Sequence, residues 1–374
     1  MKRHVLIFTV VIVIFTTASG YSVNADDPGI NISAESAVLY CADNADFIIE
    51  NNADVLLPMA SLTKVMTAVV VLENIDPEIS VKVPQGACGI EGSSIYLTVG
   101  ETLTVRDLLY ALMLESANDA AVALALTVSE GVSEFADLMN VTAKRLSLTS
   151  THFTNPHGLD DEEHYSSARD LAILFDYALK NETFAEIVST YKYSIPYGDD
   201  PDGRLLVNHN RLLNSYEGCI GGKTGYTKRT GRCLVSACVR DGITLICVTI
   251  NDGNDWSDHM AMFDYGFSVL DSYMLVNNDT FVGMHVINGI QDTVRAKIKP
   301  FEAVMTEDRY NRIRCVYRLK RFYFAPIDKG DVLGSLLWYC DDELIGSTDI
   351  ISVESIESIK YKRSFWARLF GFLN

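Results

Sequence analysis

The chain has 374 residues, nearly half of them hydrophobic, so it is too long for one ordinary domain of about 100–200 residues and too apolar for disorder. A formal net charge of −18, with no long Lys/Arg run to offset it, excludes nucleic acid as a partner. Eight cysteines without a CxxC pair make neither a dense disulfide scaffold nor the usual zinc spacing.

Lys2, Arg3 and His4 precede an apolar run from Val5 to Phe15, and small residues at Ala18, Ser19 and Gly20 lead to a cleavage point after Ala25. Residues 1–25 therefore read as a cleaved signal peptide and place the protein outside the cytoplasm. The run is shorter than the ~20 residues a membrane-spanning helix needs.

Ser36–Tyr40 and Asp46–Glu50 alternate around an Asn/Asp turn and predict a hairpin. Apolar residues at helical spacing predict helices over Ser61–Leu72, Thr104–Glu115, Ala120–Ser129, Ser133–Leu146 and Ala168–Lys180. Strands return at Cys233–Arg240 and Ile243–Asn251 around Asp241-Gly242, and a helix over Ser257–Asp271 follows. Strands on both sides of a helical centre predict an α+β fold, one antiparallel sheet with helices packed on it, over residues 26–273. From 277 to 358 the pattern changes to short strands, at Phe281–Ile287, Thr293–Ile298, Val332–Tyr339 and Glu343–Ile350, and predicts a small all-β domain.

Residues 360–374 combine Lys360, Lys362, Arg363 and Arg368 with Phe365, Trp366, Leu369, Phe370, Phe372 and Leu373. Cations beside bulky aromatics at helical spacing suit a segment lying in a membrane surface, with the protein peripherally attached. The plain alternative is a terminal helix docked on its own domain.

Three short motifs carry the chemistry. In Ser61-Leu62-Thr63-Lys64 the hydroxyl and the amine share one helix face, and a buried lysine of lowered pKa can deprotonate a serine. Ser116-Ala117-Asn118 falls between two predicted helices, where Ser116 can relay a proton and Asn118 can bond a substrate amide. Lys223-Thr224-Gly225 precedes a strand and reads as an edge strand; Lys223 and Thr224 suit an anionic peptide end, and Gly225 admits close backbone approach. Each motif alone reads more simply as a helix turn, a helix cap and an exposed turn. Together, in this order, they are the signature of penicillin-binding proteins and class A β-lactamases.

Here the chain resembles the low-molecular-mass penicillin-binding D-alanyl-D-alanine carboxypeptidases. The likeness runs through Pro58 to Ala68 (PMASLTKVMTA), Leu114 to Ala121 (LESANDAA), Thr151 to Leu159 (THFTNPHGL), Tyr165 to Asp170 (YSSARD) and Gly222 to Thr227 (GKTGYT). It implies a β-lactamase/transpeptidase-like domain followed by a β-rich one. It also implies Ser61 as acylating nucleophile, Lys64 as its base, Ser116 as relay, and Asn118, Lys223, Thr224 and Gly225 at the substrate. The partners it implies are peptidoglycan stem peptides, with β-lactams as inhibitors and no metal or organic cofactor. Some members hold the terminal carboxylate with arginines; here Asn208 to Leu213 and Asp255 to His259 leave Arg211 or His209 for that role.

His152, His157 and His164 lack zinc spacing and are expected in structural or capping roles. Cys233, Cys238 and Cys247 are expected as buried thiols, and Cys315 and Cys340 bridge only if the fold brings them together. A class A β-lactamase using Glu162 or Glu163, a transpeptidase or endopeptidase, and a catalytically silent wall-binding scaffold remain as alternatives.

Overall fold

The computed structural model describes residues 29–198 and 200–360; the expected signal peptide and the tail from residue 361 onward lie outside them. A five-stranded antiparallel sheet runs in the order Asp46–Asn51, Ser36–Cys41, Ile243–Ile250, Gly231–Arg240, Cys219–Thr227. Both ends of the first unit thus meet in one sheet, with strand Cys219–Thr227 at its edge. The central strands are apolar on both sides because both faces are covered. Helices Thr63–Asn74, Asn118–Val128 and Ala168–Leu179 fill one face, and helix Asp255–Val269 fills the other.

Helix Asn118–Val128 is rich in small residues, with Ala120, Ala121, Ala123 and Ala125 all buried. Such a helix, apolar all round, belongs in the middle of a core rather than on its surface. Its neighbour Val105–Leu114 starts at a capping box: Thr104 accepts from the Asp107 N–H, and the Asp107 carboxylate accepts from the Thr104 N–H. Ser167 caps helix Ala168–Leu179 more simply, its hydroxyl accepting from the Asp170 N–H.

Two differences from the expected elements matter. Ser61 is not in the α-helix but in a 3₁₀ turn, Ala60–Leu62, which leads into helix Thr63–Asn74. Between 180 and 215 the chain forms helices Glu182–Ser189 and Leu212–Ser215 and a hairpin of Lys192–Tyr197 with Asp200–Val207, none of them predicted. These pieces are short, and much of the hairpin's side-chain surface is exposed, so no strong apolar period marks them.

The β-rich unit is a six-stranded sheet in the order Ile313–Leu319, Val332–Cys340, Glu343–Ser352, Thr293–Ile298, Phe281–Ile287, Tyr323–Phe324. Strand Leu270–Val276 runs through the expected 273–277 junction and pairs with Phe301–Thr306. The two units touch through Asn44, whose amide donates to the Val304 carbonyl at 2.8 Å, and through an Arg309–Asp46 ion pair. Among the described residues no helix is long and apolar enough to cross a membrane. All eight cysteines are free; Cys315 is exposed and lies opposite Trp338, while Cys340 is buried opposite Ile313.

Candidate active site

Ser61 stands on a backbone bent in an uncommon way. Ala60, just before it, has φ +48°, a left-handed conformation that a non-glycine residue adopts only when its surroundings impose it. Two contacts impose it here. The Thr63 hydroxyl donates to the Ala60 carbonyl at 2.8 Å and lies 2.7 Å from His164 Nε2. His164 Nδ1 accepts from the Thr154 N–H at 3.0 Å, so the ring proton sits on Nε2 and is donated to Thr63. Burial pushes the His164 pKa down to about 4, which keeps the ring neutral near pH 7. Gly158, itself at φ +87°, closes over the same carbonyl: a Cβ there would stand 1.9 Å from the Ala60 oxygen.

One turn on, Lys64 is fully buried. Its Nζ lies 3.0 Å from Ser61 Oγ, 2.7 Å from Asn118 Oδ1 and 2.6 Å from the His157 carbonyl. Burial above all, then the nearby Lys223 charge, holds its pKa well below the usual lysine value, while Asp119 opposes the shift. Deprotonated, the amine would keep two N–H bonds for Asn118 and His157 and turn its lone pair to the Ser61 hydroxyl. That is the geometry of a base beside a nucleophile.

Asn118 begins helix Asn118–Val128 and is held from its other end, donating to the Glu91 carbonyl at 2.6 Å. Asp119, fully buried, fastens the facing loop through the Ser94 hydroxyl at 2.6 Å and the Leu97 N–H at 2.9 Å. Ser116 sits between the two helices at φ +58°, buried, and its hydroxyl makes no hydrogen bond among the described residues. From the sheet edge, Gly225 meets the turn that carries Ser61: a Cβ there would lie 3.2 Å from both the Met59 carbonyl oxygen and Ser61 N. What approaches Gly225 most closely is thus the protein's own backbone, not the ligand expected there. Lys223 is buried with a single hydrogen bond, to the Thr224 carbonyl at 3.0 Å, and burial lowers its pKa to about 7 against the pull of Glu115.

A family model described as D-alanyl-D-alanine carboxypeptidase, of the S11 peptidases, matches residues 21–254, well over half of the chain. The chain belongs to the D-alanyl-D-alanine carboxypeptidase family. A second model, the C-terminal domain of penicillin-binding protein 5, matches residues 272–358. D-alanyl-D-alanine carboxypeptidase DacF of Bacillus subtilis is 32% identical over 335 residues, covering 87% of this chain and 86% of that protein. Penicillin-binding protein 5 from Haemophilus influenzae superposes with a TM-score of 0.71 at 25% identity, covering 88% of this chain and 99% of that one. The Streptomyces K15 DD-transpeptidase covers 64% of this chain at 33% identity, with a TM-score of 0.61. The protein is accordingly a hydrolase of cell-wall metabolism, with penicillin binding implied by its structural neighbours.

Beside this carboxypeptidase centre lies a cavity of about 590 Å³, walled by Thr224, Tyr191, His209, Arg211, Arg232 and Trp256 among others. Arg232 is neutralised by Asp255 through two hydrogen bonds, at 2.6 and 3.0 Å. His209 faces Glu115 at 3.4 Å. Arg211 has no carboxylate partner among the described residues. Glu162 and Glu163 lie exposed on a surface turn, where they meet none of these groups.

Sequence reasoning missed the parts that hold the turn. His164, Thr63 and Gly158 look like a structural histidine, a helix residue and a loop glycine. Only the tertiary contacts join them to Ala60. The one available signal was the place of Thr63 and Gly158 inside the family-like stretches Pro58 to Ala68 and Thr151 to Leu159; His164 lies just before the stretch Tyr165 to Asp170.

Proposed function

We propose that the enzyme removes the terminal D-alanine of stem pentapeptides through an ester on Ser61. Lys64 takes the Ser61 proton, the hydroxyl attacks the penultimate D-alanyl carbonyl, and Ser116 with Lys64 returns a proton to the leaving amine. Water then hydrolyses the ester. The N–H of Ser61 and one from the strand after Gly225 suit the oxyanion. Lys223 and Thr224 meet the peptide's anionic end, and Arg211 is the cation free to hold its carboxylate. Asn118 orients Lys64 and keeps one amide hydrogen for substrate. The single observation that carries this reading is the 3.0 Å contact between Ser61 Oγ and a fully buried Lys64 Nζ.

The decisive experiment is mass spectrometry of purified protein with penicillin. Wild type should gain one penicilloyl group and release D-alanine from a stem pentapeptide, and Ser61→Ala should do neither. Labelling that persists in Ser61→Ala would remove Ser61 from the mechanism. Transfer to an added amine in preference to water would make the enzyme a transpeptidase, the activity named for the K15 relative.

Export through residues 1–25 and surface attachment through 360–374 belong to the same proposal, with units divided at about 273–277. The place where the chain leaves the β-rich unit supports the attachment. Strand Glu343–Ser352 begins beside Arg309, which pairs with Asp46 of the first unit, and runs about 30 Å away from it. Ile359 then bonds the Asn288 carbonyl at the far end, where Ile290, Phe322 and Phe324 are exposed. A tail that entered a membrane from there would leave the first unit, with Ser61, held off the membrane by the length of the β-rich unit. Removing residues 361–374 should abolish sedimentation with anionic vesicles and leave penicillin acylation unchanged; equal sedimentation of both forms would refute the attachment.

A further inference from the structure

Cys219 and Cys238 lie directly opposite each other on the antiparallel pair Cys219–Thr227 and Gly231–Arg240. Both belong to the apolar layer around Leu212, Leu234 and Phe263, so their side chains share one face of the sheet. Opposed residues of an antiparallel pair have Cα atoms roughly 4.5–5.5 Å apart. A disulfide needs about 4.4–6.8 Å. No other two cysteines stand opposite each other among the described residues. Cys41 faces Asp46 and Leu245, Cys233 faces Gly225 and Ile250, and Cys247 faces Leu39 and Ser236.

We propose that Cys219 and Cys238 are an oxidisable dithiol that closes to a cross-strand disulfide, a covalent modification site at the head of the Lys223-Thr224-Gly225 strand. Access is one-sided: Cys238 is fully buried and Cys219 is partly exposed. The two sulfurs also differ in acidity. Contact with Cys238, then the Gly221 backbone and the Asn210 amide, lowers the Cys219 pKa against its burial, whereas burial pushes Cys238 up. Cys219, the one of the two that an external reagent reaches, is therefore the attacking thiolate. It attacks one sulfur of an external disulfide, forms a mixed disulfide and expels a thiolate. That thiolate takes the Cys238 proton, and the Cys238 sulfur displaces the second external thiol from Cys219. Two electrons and two protons pass to the external disulfide, which leaves as two thiols.

The location gives the bond a consequence. Strand Cys219–Thr227 is an edge, held on one side only, and its pairing is irregular between Cys219 and Gly221. Cys219 Sγ also meets the Asn210 amide and the Gly221 carbonyl, both at 3.8 Å. Asn210 lies between His209 and Arg211 of the cavity wall. A disulfide here fastens the least supported end of the site strand to its neighbour, and with it the loop that lines the cavity.

The test uses the folded full-length protein, treated with oxidised glutathione or with dithiothreitol, then unfolded and alkylated. Oxidised wild type should carry two fewer alkylated cysteines than reduced protein, with a linked peptide joining residues 219 and 238. Its Tm should be higher by a few degrees. Cys219→Ser, a small change at a partly exposed position, should lose both differences. Alkylation of all eight thiols after oxidation, a stable glutathione adduct on Cys219, or a linked peptide from another pair would each overturn the proposal. None of these readouts depends on the catalytic roles assigned above.

Discussion

The two sides of the site strand are built on opposite principles. Towards Ser61, itself half-buried, the surrounding groups are dry: Lys64, Asn118, Asp119 and Lys223 are all buried and hydrogen-bonded. Towards Arg211 the wall is open, the cavity is large, and charges meet solvent. A low dielectric lowers a lysine's pKa and turns an ammonium into a base, whereas an anionic peptide end is captured by charges that keep their protons. The proposed mechanism accordingly assigns the chemistry to the first side and recognition to the second. Lys223 stands between, buried like the first and positioned for the second.

Lys64→Met separates the two sides most sharply. It should lower acylation by about 10²–10⁴-fold, measured by fluorescent-penicillin labelling, because the proton acceptor is lost. Retention of wild-type rates would show that the dry side is merely a core. Arg211→Ala should raise KM for an acidic stem peptide by about 10–100-fold with kcat little changed, the worth of a charged hydrogen bond. A neutral, amidated peptide should show no such difference.

Thr63→Val, which removes the hydroxyl between His164 and Ala60, should slow acylation about tenfold. Thr63→Ser should restore it, since the hydroxyl and not the methyl holds the carbonyl. Equal rates in both variants would mean that the turn keeps its shape without that bond.

A pH series reads Lys223. Its pKa of about 7 in the folded protein lies below the ordinary 10.5. Between those values the unfolded chain binds more protons than the native one, so this group's contribution makes stability rise with pH across that window. Over pH 6–8 Lys223 loses its charge, and KM for the anionic peptide should climb a few-fold. Replacing Lys223 with Met should flatten both trends. Arg309→Ala, at the contact between the units, should leave acylation within experimental error, since a partly exposed ion pair contributes little.

The legible part of the molecule follows from the same contrast. The predicted hairpin at Ser36 and Asp46, the helices from Thr104 to Lys180 and the strands from Cys233 to Ile250 all agree with the structure within a few residues. Their apolar period is imposed by a core that covers them. The segment 180–215 was silent because its helices and hairpin are short and partly solvated, so local sequence carries no strong pattern. Cys219 had no visible partner for a different reason. A pairing register is a long-range property, and a single residue's slip would have placed Val239 in front of it.

Residue order alone determined which groups can meet: a hydroxyl and an amine three positions apart share a helical turn wherever that turn is placed. Spacing alone puts Ser61 and Lys64 on one turn, while the bend at Ala60 beside them is held by Thr63, His164 and Gly158. Only the tertiary structure decided that Lys64 is dry and that Asn118 and the His157 carbonyl face it. The same is true of the His164 proton aimed through Thr63 at Ala60. Burial and long-range contact depend on how the whole sheet and its helices close around a point, and no short stretch of chain holds that information.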